Sequence, residues 1–208
     1  MINSEAVLQR LDEPYVYYTA DDVVSPHDLR RLNAETPDLA IFDRRVKRGS
    51  EHRKEYNMWR CEPAENGRRT QAADKLPAAW SELVDSTLST EFREWLTAGT
   101  GVDVRTVRTT VGLYVFEDGD FTGIDSGKLE KALSFGLYLN EDWQRSYGGA
   151  FQVFTHKAPD AEPVRSLVPI GGRCVTMTPT ESTWHRIERV DTGGRVSRLL
   201  LMVEFWRD

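Results

Sequence analysis

The clearest chemical signal in the sequence is one histidine followed at short spacing by an arginine and a serine. His185 stands between a proline/threonine turn and a β run, Arg195 comes ten residues later, and Ser197 opens the last strand. The Gly-Gly pair before Arg195 predicts a turn between two adjacent antiparallel strands, with His185 and Arg195 pointing into one cavity. The other three histidines are predicted to lie on the surface: His27, His52 and His156.

Further motifs surround this histidine in a definite order over about residues 110–206. They are Leu137-Tyr138-Leu139-Asn140-Glu141-Asp142-Trp143, Gly148-Gly149-Ala150-Phe151, Pro169-Ile170-Gly171-Gly172-Arg173-Cys174-Val175 and His185-x9-Arg195-x-Ser197. Together they resemble the prolyl-4-hydroxylase-like branch of the Fe(II)/2-oxoglutarate oxygenases. Residues 14–17 and 24–29 are similar to that family's lead-in strand and helix. The resemblance implies a mainly β fold with flanking helices, a double-stranded β-helix (jelly roll, cupin-like).

The family's metal site departs from its usual pattern in this chain. The family binds iron through two histidines and one carboxylate, with open positions for oxygen and cosubstrate. The His-x-Asp motif before the Tyr-Leu-Asn strand matches Asp125-Ser126-Gly127, so Asp125 replaces the histidine and Gly127 replaces the carboxylate. The resemblance therefore implies Asp125 and His185 as the remaining metal ligands and catalytic residues. Halogenases of the family have Gly or Ala at the carboxylate position, as at Gly127, but keep both histidines.

The cosubstrate site implied by the resemblance is better preserved. Arg195 is expected to pair with the distal carboxylate of 2-oxoglutarate, since arginine forms planar two-point contacts with carboxylates. Tyr138 and Ser197 are expected to add hydroxyl hydrogen bonds, with Ser134 and Tyr114 as further candidates. The predicted cofactors are thus Fe(II) and 2-oxoglutarate, although the altered ligand positions leave open whether iron binds.

Composition narrows the classes of partner and compartment. The 208 residues contain 27 Lys+Arg and 33 Asp+Glu, a net charge of −6, which argues against general nucleic-acid binding. The two cysteines, Cys61 and Cys174, form neither a metal-type pair nor a disulfide framework. An apolar signal core and a membrane-length apolar run are both lacking. These features predict a cytoplasmic protein that binds neither membranes nor nucleic acid.

Secondary-structure signals change near residue 100 and predict one domain over residues 1–208. Residues 1–100 are predicted to be a helical support region, with a strand at 15–18 and helices after Ser25-Pro26 and over 77–97. Residues 44–72 are polar and predicted to be a solvated connector or a lid over a site. Residues 101–208 are predicted to form the barrel. Its strands are 104–107, 110–116, 133–139, 151–154, 174–177, 186–190 and 195–206.

Three functions remain open from the sequence. The first is a 2-oxoglutarate-dependent oxygenase that hydroxylates or otherwise oxidises a small molecule in biosynthesis, with the basic segment 44–54 and Arg60 facing an anionic or amino-acid-like substrate. The second is a metal-independent, non-redox enzyme that uses Asp125 and His185 as an acid–base pair. The third is a catalytically inactive ligand-binding module or partner subunit. A homodimer or a partner enzyme is compatible with each.

Overall fold

A computed structural model describes residues 1–48, 55–158 and 160–207. Within these residues, three α-helices and thirteen strands give a mainly β fold with flanking helices, as predicted. The helices are α1 (Pro26–Ala34), α2 (Ala78–Leu88) and α3 (Thr90–Thr100). The strands are β1 (Gln9–Leu11), β2 (Tyr17–Ala20), β3 (Asp43–Lys47), β4 (Tyr56–Glu65), β5 (Arg68–Arg69), β6 (Arg108–Phe116), β7 (Phe121–Thr122), β8 (Lys131–Tyr138), β9 (Phe151–Val153), β10 (Arg165–Leu167), β11 (Cys174–Met177), β12 (His185–Ile187) and β13 (Arg198–Trp206).

The strands form two antiparallel sheets that line one cavity. The large sheet has the order β1-β2-β11-β8-β13-β6-β4-β3, with β5 and β7 also paired to β4. The small sheet has the order β10-β9-β12. The sheets are linked where Asp125 and His185 form an isolated antiparallel bridge. No helix within the described ranges is long and apolar enough to cross a membrane.

The central strand β13 shows how the sequence separates core from cavity. Successive side chains of a strand point to opposite faces of the sheet. One face of β13 packs into the helix-side core through Leu199, Leu201, Val203 and Phe205. The other face lines the cavity through Arg198, Leu200, Met202, Glu204 and Trp206. This strand therefore positions charged side chains inside the protein without disturbing the apolar core.

Local capping explains where the helices begin and end. The predicted helix after Ser25-Pro26 is confirmed, since the Ser25 hydroxyl accepts a hydrogen bond from the Asp28 amide and Pro26 is the first helical residue. The helical stretch predicted over 77–97 is helical in the structure, but it consists of two helices, α2 and α3. Ser89 divides it, because its extended backbone ends α2 and its side chain caps α3 by accepting from the Phe92 amide.

Residues 44–72 differ most from their prediction. Outside residues 49–54, which lie beyond the described ranges, they form β3, β4 and β5 of the large sheet and not a solvated connector or lid. Strands from the first hundred residues therefore continue the barrel sheet, and the helices pack on its outer face. The alternating polar residues of β4 face a cavity, and such a face has the same sequence pattern as a face in water.

Several strand boundaries also need correction. The strand predicted at 104–107 is wrong, because the Arg93 guanidinium binds the carbonyls of Val104 and Val107 in place of a strand partner. The last strand begins at Arg198, three residues later than predicted. Its predicted neighbour is wrong as well: β12, which carries His185, pairs with β9 in the small sheet, whereas β13 pairs with β6 and β8.

Candidate active site

A cavity of about 1010 Å³ lies between the two sheets. It brings together most of the site residues predicted from the sequence and excludes two of them. Asp125, His185, Tyr138, Ser134 and Tyr114 line it. Arg195 and Ser197 do not lie among its lining residues.

Asp125 and His185 face each other across the antiparallel bridge between the sheets. The amide of Asp125 donates to the His185 carbonyl at 3.0 Å, and the His185 amide donates to the Asp125 carbonyl at 2.9 Å. Their side chains lie in the cavity, with His185 Nε2 4.0 Å from Asp125 Oδ1. One carboxylate and one imidazole, both potential metal ligands, are thus held next to each other by main-chain hydrogen bonds.

The imidazole of His185 has a defined tautomer and orientation. Its Nδ1 lies 2.7 Å from the carbonyl oxygen of Thr183, an acceptor, so Nδ1 carries the proton. In the neutral ring, Nε2 then has the lone pair and faces Asp125. The ring stacks on Phe151 at 5.3 Å between centroids. A carbonyl that orients the second nitrogen is the usual support of a metal-binding histidine.

Gly127, which the sequence resemblance aligns with the family's carboxylate position, has a backbone conformation that favours glycine. Its φ is +79°, and its amide donates to Asp125 Oδ1 at 2.7 Å, which closes an Asx turn. A Cβ built at Gly127 would lie 3.3 Å from Pro179 Cβ and 3.8 Å from His185 Cε1. Gly127 therefore forms a tight turn in which a built Cβ would contact Pro179 and lie near the ring of His185.

Arg198 is the most unusual charged residue of the cavity. It is fully buried, its Nε donates to the Gly149 carbonyl at 2.8 Å, and its buried Nη1 has no hydrogen-bond partner among the residues that the structure describes. Its guanidinium carbon lies 5.0 Å from the Tyr138 ring and 5.1 Å from the Phe116 ring. Desolvation lowers the pKa of Arg198 to about 10, partly offset by Tyr138, and burial raises the pKa of the Tyr138 phenol.

Arg195 and Ser197 belong to the turn that precedes β13. Arg195 is exposed, its Nε donates to the Thr192 carbonyl at 2.8 Å, and its guanidinium lies 5.4 Å from the Tyr147 ring. The Ser197 carbonyl accepts from the Asn140 amide. The spacing from His185 favoured Arg195. The feature of the sequence that could have identified Arg198 is a single charged residue at the start of the apolar run Leu199–Val203.

The part of the cavity at the other end of β13 carries charges of both signs. Lys131 Nζ and Glu204 Oε1 form an ion pair, and Arg60 Nη2 donates to Glu62 Oε1. The Arg60 guanidinium lies 5.6 Å from the Tyr114 ring. Burial, followed by the charge of Glu204, raises the pKa of the Tyr114 phenol.

The side chains of the cavity match the superfamily's cofactors, Fe(II) and 2-oxoglutarate, only in part. No group of three or more His, Cys, Asp or Glu residues within the described parts of the chain could hold a metal ion. Asp125 and His185 offer one carboxylate and one imidazole with its tautomer set, two accepted donors for a divalent first-row metal. The buried Nη1 of Arg198 fits a carboxylate of 2-oxoglutarate.

Comparison with known proteins agrees with this geometry. Residues 114–206 match the model of the 2OG-Fe(II) oxygenase superfamily. A Pseudomonas putida prolyl-4-hydroxylase aligns at 18% identity, covering 92% of each chain, with a TM-score of 0.57. The 2OG complex of a viral collagen prolyl hydroxylase from Paramecium bursaria Chlorella virus-1 aligns at 14% identity over 95% of this chain and 98% of that one, with a TM-score of 0.57.

A third solved structure with this fold is the non-heme α-ketoglutarate-dependent carbocyclase SnoK from nogalamycin biosynthesis. It aligns at 15% identity over 92% of this chain and 79% of that chain, with a TM-score of 0.56. No curated protein matches the sequence.

Residues 114–206 therefore resemble the 2OG-Fe(II) oxygenase superfamily, and the fold of the chain is the double-stranded β-helix of the prolyl-4-hydroxylase-like structures. The resemblance predicted from the sequence is confirmed, as is the fold class. Fe(II) and 2-oxoglutarate are the cofactors of that superfamily.

Proposed function

We propose that this protein is a 2-oxoglutarate-dependent oxygenase that acts on a small molecule. Arg198 and Tyr138 bind 2-oxoglutarate, and Asp125 and His185 hold Fe(II). The observation that carries the proposal is the buried guanidinium of Arg198: the residue lines the cavity, and its Nη1 has no hydrogen-bond partner among the described residues.

A buried charge is costly unless a counter-ion or hydrogen-bond acceptor balances it. Within the described residues, no carboxylate lies within 4.0 Å of Arg198, and its pKa is lowered by desolvation. A carboxylate of 2-oxoglutarate would supply both the charge and the acceptor that Nη1 lacks. The Tyr138 phenol lies on the same wall and adds a hydroxyl for the same carboxylate.

Fe(II) bound with 2-oxoglutarate would supply the oxidising power for reaction at a C–H bond. The chain's own contribution is to fix the positions of these two metal ligands and to keep them largely buried. Thr183 and Phe151 fix the imidazole of His185, and the Gly127 amide fixes one oxygen of Asp125. The two sheets enclose these groups, which strengthens their electrostatic interactions with a bound anion.

The shape of the cavity supports a small substrate. Its volume of about 1010 Å³ is at the upper end of the range of about 300–1,000 Å³ that is usual for small-molecule sites. Room therefore remains for a second small molecule beside the cosubstrate. The solved structures with this fold include both prolyl hydroxylases and a carbocyclase.

Anaerobic calorimetry of 2-oxoglutarate binding tests the proposal, with Mn(II) as a redox-quiet substitute for Fe(II). We expect the wild-type protein to bind, and Arg198→Met to lose at least a hundredfold in affinity. Arg195→Met is the matched control, because it removes an exposed arginine only three residues away, and should bind like the wild type. Equal binding by Arg198→Met and the wild type would overturn the assignment.

A second candidate function is favoured by the 4.0 Å approach of His185 Nε2 to Asp125 Oδ1. A carboxylate next to an imidazole raises the basicity of the ring and suits proton transfer. In that case the protein would be a metal-independent, non-redox enzyme. Adding a chelator distinguishes the two functions. If the affinity for 2-oxoglutarate is unchanged in EDTA, the metal-independent acid–base function is favoured. A lack of binding in every condition favours an inactive ligand-binding relative.

A further inference from the structure

The end of the cavity away from Arg198 carries a group of charges that the binding of 2-oxoglutarate does not use. Along β13, Arg198 and Glu204 are six residues apart, or about 20 Å at about 3.3 Å per residue. The four charges near Glu204, called here the mixed-charge wall, are Arg60, Glu62, Lys131 and Glu204. Arg60 and Glu62 lie on β4, Lys131 on β8 and Glu204 on β13. In the large sheet β8 is adjacent to β13, and β6 lies between β13 and β4.

The Lys131–Glu204 ion pair is nearly buried, with side-chain exposures of 11% and 13%. Such a pair is weak grounds for stability, because removing two charges from water costs about as much as their attraction returns. The ammonium of Lys131 also lies 5.3 Å from the Trp206 ring, which fixes its position. Lys131 binds Oε1 of Glu204, so the carboxylate retains acceptor capacity for a donor in the cavity.

Arg60 has the complementary property, an unused donor. Its Nη2 binds Glu62, but its buried Nε has no hydrogen-bond partner within the described part of the chain. A buried donor without an acceptor is costly, so an acceptor from a ligand would be stabilising at this point. Arg60 is paired with Tyr114 in the register of β4 and β6. The charges of Glu204, Arg60 and Glu62 all act on the pKa of the Tyr114 phenol, which burial raises.

The mixed-charge wall thus has two groups of each sign around one phenol. A substrate with only one kind of charge would meet attraction and repulsion together. A substrate with both kinds can satisfy the acceptor of Glu204 and the donor of Arg60 at once. The cavity mouth likewise carries both signs, in Arg45, Glu65, Arg108, Lys128 and Glu130.

We infer that the substrate is a small zwitterion of the amino-acid type, whose carboxylate binds Arg60 and whose ammonium group binds Glu204. This inference rests on the proposed function, since it names the substrate of the same cavity. It places the zwitterion at the end of the cavity away from Arg198, so the two molecules would not compete for one arginine.

The test is ligand-observed NMR with the full chain, Mn(II) and 2-oxoglutarate. The probes are the twenty proteinogenic L-amino acids, each compared with its N-acetyl and its methyl-ester form. We expect at least one amino acid to bind at least tenfold more tightly than both of its singly charged forms. If no amino acid binds, or if the blocked forms bind equally well, the inference is wrong.

Two variants locate the binding on the wall. Arg60→Gln and Glu204→Gln should each weaken the best amino acid at least tenfold while leaving 2-oxoglutarate affinity unchanged. The matched control removes an exposed pair, Asp103→Asn with Arg105→Gln, and should change neither affinity. Circular dichroism verifies the fold, and Arg60→Gln remains decisive if Glu204→Gln unfolds. Unchanged amino-acid binding by a folded Arg60→Gln variant would overturn the inference.

Arg198→Met keeps the failure of this inference distinct from that of the proposed function. If that variant loses 2-oxoglutarate but still binds the amino acid, the zwitterion site and the 2-oxoglutarate assignment are both supported. If 2-oxoglutarate binding proves independent of Arg198 while the amino acid still depends on Arg60, only the proposed cosubstrate site fails.

Discussion

The guanidinium of Arg198 lies 5.0 Å from the ring of Tyr138, inside the barrel and shielded from water. The two residues come from neighbouring strands, β13 and β8, and Leu200, two residues after Arg198, is directly opposite Tyr138. Contact with aromatic rings compensates a buried cation only partly, and desolvation lowers the pKa of Arg198 to about 10. The protein therefore maintains a cation in a place where a bound anion would stabilise it.

The first prediction concerns the stability of the protein without ligand. Arg198→Met removes a buried charge whose Nη1 is unpartnered, so we expect the free energy of unfolding to rise by about 1–3 kcal/mol. 2-Oxoglutarate at a hundred times its Kd should add about 2.7 kcal/mol to the wild type and nothing to the variant. Urea denaturation with and without 2-oxoglutarate measures both quantities. A variant that is less stable and still stabilised by 2-oxoglutarate would contradict the role of Arg198.

The second prediction separates the phenol of Tyr138 from its ring. Tyr138→Phe keeps the aromatic contact with Arg198 and removes only the hydroxyl, so the fold should be unchanged. Loss of one hydrogen bond to a carboxylate is worth about 1–2 kcal/mol, and 2-oxoglutarate affinity should fall by about fivefold to thirtyfold. Calorimetry measures the change, and Tyr147→Phe, beside the exposed Arg195, is the control. An unchanged affinity in Tyr138→Phe would remove this hydroxyl from the site.

The sequence predicted the local signals well and the cavity wall poorly. Capping by Ser25 and the β runs of β8 and β13 are short-range features, and each was recovered near its true position. Which arginine enters the cavity depends instead on where β13 begins. Gly193 and Gly194, both at positive φ, belong to a turn that extends to Ser197, so Arg198, not Arg195, enters the cavity.

The same reason explains the misread segment at 44–72. A cavity wall needs polar side chains on one face of a strand, and β4 supplies Arg60 and Glu62 in alternation. Periodicity identifies such a strand but does not tell an internal cavity from bulk water, because both select polar residues. The pairing of β4 with β6 decides whether this face lines a cavity or meets water. Pairing between segments far apart in the chain cannot be deduced from the sequence of either segment alone.

The third prediction concerns the altered metal ligands. Gly127 has a φ of +79°, so an L-residue there costs about 1–2 kcal/mol, yet a Cβ would point toward His185. We therefore expect Asp125→His with Gly127→Asp to bind Co(II) at least tenfold more tightly and to unfold more easily. Absorption of Co(II) and urea denaturation are the two measurements.

The control for backbone strain is Gly101→Ala. Gly101 has a similar φ of +74° but no neighbour within 4 Å of a built Cβ, and it lies at the end of α3, outside the cavity lining. It should reproduce the loss of stability without the gain in Co(II) affinity. If the folded double variant binds Co(II) no better than the wild type, Asp125 and Gly127 are not the family's ligand positions.

The fourth prediction uses the two buried cysteines as reporters of pH dependence. Burial raises the pKa of Cys61 to about 11 and that of Cys174 to about 12, whereas a thiol in the unfolded chain ionises near about 8.5. Below pH 8.5 both states are protonated and stability is complete. As the pH rises toward 11–12, only the unfolded state loses these protons, so stability falls.

The measurement is the difference between the wild type and a Cys61→Ala/Cys174→Ala variant in urea at pH 8 and pH 10. Each thiol contributes up to about 1.4 kcal/mol per pH unit above its unfolded pKa, so the wild type should lose up to about 4 kcal/mol more than the variant. Using the difference cancels the tyrosines and lysines that also titrate near pH 10. Equal losses would mean that the thiols are exposed to solvent in the folded protein.

The fifth prediction asks whether the Lys131–Glu204 pair serves stability or binding. Glu204→Ala leaves the ammonium of Lys131 buried without its partner, so the free energy of unfolding should fall by about 3–5 kcal/mol. Lys131→Met with Glu204→Leu replaces both charges by apolar groups of similar size, and its stability should equal or exceed that of the wild type. A double variant that is as stable as the wild type but no longer binds a zwitterion shows that the pair is present for the ligand. If the double variant instead loses several kcal/mol, the pair is part of the barrel's own stability, and the argument for a zwitterion would then depend on Arg60 alone.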